Sequence, residues 1–128
     1  MPIVVRAKNF ASEVLAAKGP VLVDFYGEQC VPCRVLRPIL MELSEEYEGL
    51  KFCVFNTDRE ARETDEEYEE KFSILAAYNV MSLPTMLVFH YGQVILTLIG
   101  LHTKEELLQI FDDRGLDLKP VVRNQSDA

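Results

Sequence analysis

The sequence predicts an α/β fold, a three-layer α/β/α sandwich around a mixed central sheet. Three observations predict it. Apolar, β-rich runs at residues 21–26, 50–56, 86–90 and 93–99 are spaced among segments of helical periodicity. The run VLVDFY at 21–26 is almost continuously apolar, as a strand covered on both faces must be. The last two runs are separated only by Tyr91-Gly92, a hairpin signal, whereas the earlier ones are joined through helices and require right-handed parallel crossovers.

Taken in order, residues 4–10 read as a short strand and 12–17 as a helix, with Asn9 or Ser12 as its cap and Lys18-Gly19-Pro20 as its stop. The strand at 21–26 carries Asp24 in its middle, a costly place for a charge unless something compensates it. A turn at 27–29 leads into Cys30-Val31-Pro32-Cys33. From there Leu36, Ile39, Leu40, Leu43 and Tyr47 recur at three- and four-residue steps, the pattern of an amphipathic helix. Pro32 is tolerated in its first turn, Pro38 should kink it, and Gly49 should end it. After the strand at 50–56, residues 57–77 read as a loop and an acidic helix with Tyr68, Phe72, Leu75 and Ala76 inward. Strands at 86–90 and 93–99 follow. Thr103 and Glu106 form a capping-box start for a helix whose Leu107, Leu108, Ile110 and Phe111 face the core. The expected organisation is one domain over residues 1–115 and a loose tail over 116–128.

The chain of 128 residues, 48% hydrophobic and 27% charged, has the composition of one soluble globular domain. Such a chain buries roughly two-thirds of its unfolded surface and needs no disulfide staples. The net charge of −8, with basic residues scattered, excludes a nucleic-acid partner. Much of the acid lies in EARETDEEYEE at 60–70, which reads as a solvated helix face or, alternatively, a docking surface for a basic partner. No run approaches the ~20 apolar residues of a membrane span, and the N-terminal residues lack a secretory signal pattern. A cytoplasmic protein without membrane attachment is expected. Cys30, Cys33 and Cys53 make an odd count, unlike a disulfide scaffold, and neither His90 nor His102 has the paired spacing of a zinc site, so no metal is expected.

The chemistry-bearing residues gather around the cysteine pair. Thiol–disulfide exchange needs an attacking thiolate, a second thiol and a route for a proton. Cys30 sits between a strand and the N-terminus of a helix, where free N–H groups favour a thiolate. Cys33, about one turn on, can reach back to it, and Arg34 adds positive charge. Cys30 is therefore the candidate nucleophile and Cys33 the resolving thiol; the competing readings are two core cysteines at accidental spacing or metal ligands. Burial would raise the Asp24 pKa and suit it to accept the Cys33 proton, against the alternative of an edge-facing, solvated Asp. Pro84, between a loop and a strand, is a candidate cis peptide. Cys53 reads as a small buried hydrophobe or a regulatory thiol.

Together, VLVDFYGEQCVPCRVLRPIL and SLPTMLVF resemble the thioredoxin family over residues 21–112. The resemblance implies a thioredoxin fold and reduction of protein disulfides. By position it carries over Cys30 and Cys33 as the redox-active disulfide, with Asp24, Pro38 and Pro84. Leu83, Pro84 and Thr85, with Gly100 beside them, would line the client-binding groove. Gly92 stands at the family's hairpin turn. The chain departs from the family at Tyr26 and Gln29, where aromatic residues including Trp are usual, at Val31 in place of Gly, at Val54 in place of a Lys near the buried Asp, and in a longer segment at 59–78. Implied partners are disulfide-containing client proteins and a separate thioredoxin-reductase-like electron donor. No cofactor is expected, since no GxGxxG-type motif is present, and the chain is expected to act as a monomer. The rival functions are a disulfide oxidase or isomerase outside the cytosol, and a redox-independent adaptor; Pro32 between the cysteines resembles the reducing members.

Overall fold

The computed structural model describes residues 1–122. Strand β2 (Val21–Tyr26) occupies the centre of the sheet because it is apolar on both faces. It lies between β4 (Lys51–Asn56), parallel to it, and β5 (Thr85–His90), antiparallel to it. Strand β1 (Ile3–Val5) pairs in parallel outside β4, and β6 (Gln93–Ile99) pairs antiparallel outside β5, giving the order β1-β4-β2-β5-β6. A mixed sheet and the hairpin are as the sequence predicts, but the connection through the helix after β4 is not the expected parallel crossover: β5 enters antiparallel to β2, because it joins on the far side of β2 from β4 and runs back along it. Tyr91 (φ 53°) and Gly92 (φ 77°) both take left-handed backbone at the β5–β6 turn, as a two-residue I′ hairpin requires.

Alternation along β2 sends side chains to two separate cores. Leu22 packs with Leu36, Leu40 and Leu43 of α2 (Val31–Glu46) and with Leu107 and Phe111 of α4 (Lys104–Asp113). Val21, Val23 and Phe25 pack on the other face against Phe10 of α1 (Ala7–Phe10) and Val14 of the π-helical turn that continues it (Ala11–Leu15). Ile74 and Leu75 of α3 (Asp65–Ala77) close that side. Asp24 falls on the Leu22 face, toward α2. Helix α2 runs through Pro38, which has no N–H to give the Arg34 carbonyl. Helix α4 starts on the expected box: Thr103 Oγ1 accepts from the Glu106 N–H (3.1 Å), and Glu106 accepts from the Thr103 N–H (2.8 Å).

Four local expectations are corrected. The first helix begins at Ala7 rather than Ser12, because Phe10 and Val14, four residues apart, are the pair that reaches the core. Asn9 lies inside it, where its Oδ1 accepts the Arg6 N–H (2.7 Å), and Ser12 donates to the Asn9 carbonyl. Helix α3 is rotated by about one residue. Phe72 is 63% exposed, Ala76 is exposed, Tyr68 and Leu75 are half-buried, and the fully buried residue is Lys71. Its ammonium is held inward by the Glu63 carboxylate (2.9 Å) and the Asp58 carbonyl. Helix α2 ends at Glu46, not at Gly49. Tyr47–Glu48 is already extended as β3, and Gly49 (φ 106°) turns the chain where a Cβ would meet the Asp117 carbonyl oxygen.

The fourth correction concerns the chain beyond residue 115. Leu116 is buried in the α2–α4 core, β7 (Lys119–Pro120) pairs antiparallel with β3, and the Val121 N–H donates to the Glu46 carbonyl (2.8 Å). That contact satisfies one of the open carbonyls at the end of α2. Residues 123–128 of the expected loose tail lie outside the described residues. Among the described residues no helix is long and apolar enough to cross a membrane.

Candidate active site at the strand-to-helix turn

Strand β2 delivers the chain to a tight turn at 27–29, and α2 starts immediately after it. Cys30 is the N-cap residue of α2 and is extended (φ −86°, ψ 108°), so its side chain can fold over the first turn. The Cys33 N–H donates to Cys30 Sγ (3.2 Å). The two cysteines form a disulfide with Cα atoms 5.2 Å apart. Pro32 occupies the first turn, where its missing N–H leaves no hydrogen bond unmade. The pair is asymmetric: Cys30 is half-buried, while Cys33 is only 3% exposed. The sulfur at the helix N-terminus is the one a large substrate can touch. It also faces the free N–H groups and positive dipole end that stabilise a thiolate.

Asp24 is fully buried, and neither carboxylate oxygen has a hydrogen-bond partner among the described residues. Burial raises its pKa from 3.8 to about 7, against a smaller opposing pull from the Arg37 cation. The solvated alternative for Asp24 is thereby excluded. A buried carboxyl group poised near neutral pH, on the face of β2 that α2 covers, is suited to general base work.

The turn itself is tied from three sides. The Glu28 N–H donates to Asp58 (2.7 Å), Asn56 donates to the Glu28 carboxylate (3.3 Å), and Arg34 donates to the Glu28 carbonyl (2.7 Å). Arg34 thus braces the turn. Opposite it, Leu83-Pro84 is a cis peptide. Leu83 packs so closely on Gly27 that a Cβ there would lie 3.0 Å from its Cδ1. The Gly100 N–H donates to the Pro84 carbonyl (2.8 Å), and Thr85 donates to the Ser82 carbonyl (2.6 Å). The structure therefore gathers Leu83, Pro84, Thr85 and Gly100 at the end of the sheet that carries the cysteines.

The sequence model of the thioredoxin family matches residues 1–113. The chain belongs to the thioredoxin family. It is 38% identical to a thioredoxin of Rickettsia bellii over 106 residues, covering 82% of this chain and 90% of that one. It is 36% identical to a thioredoxin of Pseudomonas aeruginosa over 105 residues, covering 81% and 87%. It is 36% identical to the chloroplastic thioredoxin M5 of Oryza sativa over 111 residues, covering 86% of this chain and 58% of the rice protein. This thioredoxin-family chain is a dithiol–disulfide oxidoreductase, and the Cys30–Cys33 pair is its redox disulfide.

Two neighbours of this thioredoxin-family site, Arg37 and Asp58, escaped the sequence reading. Arg37 lies over the Tyr26 ring, 4.3 Å from its centroid, and borders the same cleft of about 330 Å³ as Cys33. Its place four residues after Cys33 and the place of Tyr26 two residues after Asp24 were visible signals. Asp58, which holds the turn, gave no signal, since its contact with Glu28 spans 30 residues. Cys53 is free and fully buried, and burial pushes its thiol up to about 11, so it stays protonated and unreactive at neutral pH.

Proposed function

We propose that this protein reduces disulfides of client proteins with Cys30 as nucleophile, Cys33 as resolving thiol and Asp24 as the proton acceptor of Cys33. The Cys30 thiolate attacks one sulfur of the client disulfide. A mixed disulfide forms, and the client's other sulfur leaves as a thiolate that takes a proton from solvent. Cys33 then gives its proton to Asp24 and attacks the Cys30 sulfur. The Cys30–Cys33 bond forms, the second client thiolate leaves and is protonated, and the client has gained two electrons and two protons. Resolution is intramolecular, so one chain completes the cycle as a monomer. The observation that carries this reading is the asymmetry of the pair: an accessible sulfur at the helix tip and a buried one behind it.

Leu83, Pro84, Thr85 and Gly100 form the client-binding groove in this reading. Leu83 packs on Gly27 of the active-site turn, so a client peptide held along this segment lies at the redox pair. A separate two-electron reductase returns the disulfide to the dithiol, with no cofactor held by the chain itself. A reducing compartment such as the cytosol fits that cycle. Residues 1–121 act as a single domain, since the segment after 115 shares the core.

Insulin reduction by dithiothreitol tests the assignment on wild type, Cys30→Ser and Cys33→Ser. Cys30→Ser should show no turnover above the dithiothreitol background. Cys33→Ser should accumulate a mixed disulfide at Cys30, visible by mass spectrometry. A wild-type rate from Cys30→Ser, or trapping through Cys33 in the Cys30→Ser protein, overturns it.

A further inference from the structure

The neighbourhood of Asp24 is apolar wherever strands meet it. In register it faces Val54 on β4 and Met86 on β5. The groups able to carry charge come from α2, which packs on the Asp24 face, and from β2 itself. On α2 these are Cys33 and, one turn on, Arg37; on β2 it is the Tyr26 phenol, two residues along on the same face. Glu28 and Arg34 border the cleft nearer its mouth and bond to the turn and to Asn56.

Arg37 is held in a defined place. Its guanidinium lies over the Tyr26 ring, its Nε is buried, and that Nε has no hydrogen-bond partner among the described residues. A cation stacked on an aromatic face is stabilised by the ring quadrupole without using its donors. Among the described residues its charge has no salt-bridge partner, and it borders the same cleft as Cys33.

We propose that Arg37, clamped on Tyr26, is the positioning residue that keeps a positive charge over Asp24 and so holds this carboxyl ready to accept the Cys33 proton. The proposal rests on the base role of Asp24 put forward above. The direction follows from electrostatics. Burial alone favours the protonated carboxyl, which cannot act as a base, and a nearby cation restores part of the ionised form. Arg37 opposes burial in this sense. Tyr26 supplies the fixed seat, since an unrestrained Arg side chain would move its charge toward solvent.

The test follows the Asp24 carboxyl carbon by NMR across pH in the disulfide form of wild type, Arg37→Met, Arg37→Lys and Tyr26→Leu. Arg37→Met keeps an apolar stem and removes the charge, and should move the Asp24 midpoint up by about 1 pH unit. Arg37→Lys should restore most of that change, and Tyr26→Leu should reproduce part of it. A structural role alone would leave the midpoint in place. In turnover assays Arg37→Met should shift the pH profile upward in the wild-type background and leave it unmoved in Asp24→Asn. An unchanged Asp24 midpoint in Arg37→Met, in a protein with native circular dichroism, overturns the proposal. If instead Asp24→Asn resolves the mixed disulfide at the wild-type rate, the base role of Asp24 falls. The titration then still decides whether Arg37 governs its ionisation.

Discussion

Among the described residues two charged side chains, Asp24 and Lys71, are fully buried, and they are treated in opposite ways. Lys71, on α3, meets the Glu63 carboxylate and the Asp58 carbonyl, and Glu63 also accepts the Glu60 N–H (3.1 Å). Asp24, on β2, has no hydrogen bond among the described residues, and the Arg37 cation partly offsets its burial. A buried charge with partners holds a segment in place; one without partners is kept close to neutrality and can exchange a proton. The first belongs to the acidic segment that distinguishes this chain, the second to the redox site. They meet at Asp58, whose carbonyl takes Lys71 and whose carboxylate takes the Glu28 N–H of the active-site turn.

The comparison breaks most visibly if Lys71 is removed. Lys71→Met leaves Glu63 buried without its counter-charge and should destabilise the protein by about 3–5 kcal/mol in denaturant unfolding. Replacing Glu63 by Leu in the same chain should recover much of that loss. The Asp24 midpoint should not move, because no influence of Lys71 reaches it. Full stability in Lys71→Met would mean the pair is ornamental to the fold.

Asp24 should behave with the opposite sign. Its folded pKa of about 7 lies above the ordinary 3.8, so the folded protein binds more protons than the unfolded chain between those values. Stability should therefore fall as pH rises from about 4 to 7 and stay low above. Asp24→Asn removes this cost. In the disulfide form it should be more stable than wild type by about 4 kcal/mol at pH 8, with the gain vanishing near pH 4. Unfolding free energies at both pH values check it, and a pH-independent difference would place Asp24 in solvent. The same variant should resolve mixed disulfides more slowly at neutral pH, which stopped-flow kinetics on a trapped client would measure.

The smallest effect belongs to the exposed charges that tie the acidic segment to α1. Arg6 and Glu60 are bonded at 3.2 Å, with side chains 49% and 32% exposed. Arg6→Met should cost less than about 1 kcal/mol and less still in high salt. A larger loss would show that the anchoring of this segment does not depend on Lys71 alone.

Legibility in the sequence followed how local each cause is. The strands, the hairpin, the Thr103–Glu106 cap and the cysteine pair were readable because each depends on residues within a few positions. The rotation of α3 was not. Tyr68, Phe72 and Leu75 gave an apolar stripe that outranked Lys71, and only the partners at Asp58 and Glu63 reverse that ranking. The tail misled in the same way: residues 116–121 have weak periodicity, yet β3 and the end of α2 supply pairing that no local pattern announces. At the site, Cys30, Cys33 and Asp24 were readable as residue types out of place or at a telling spacing.

The sequence by itself determined the alternation of strand and helix, the placement of Cys30 at a helix start and the isolation of an acid in an apolar strand, because these are properties of neighbouring residues. Only the tertiary structure decided which face of β2 Asp24 takes, that Arg37 stands over the Tyr26 ring, and that the buried sulfur is Cys33. Those outcomes depend on which layers pack together, and the distances and desolvation that set a charge or a thiol to work exist only once the layers have closed.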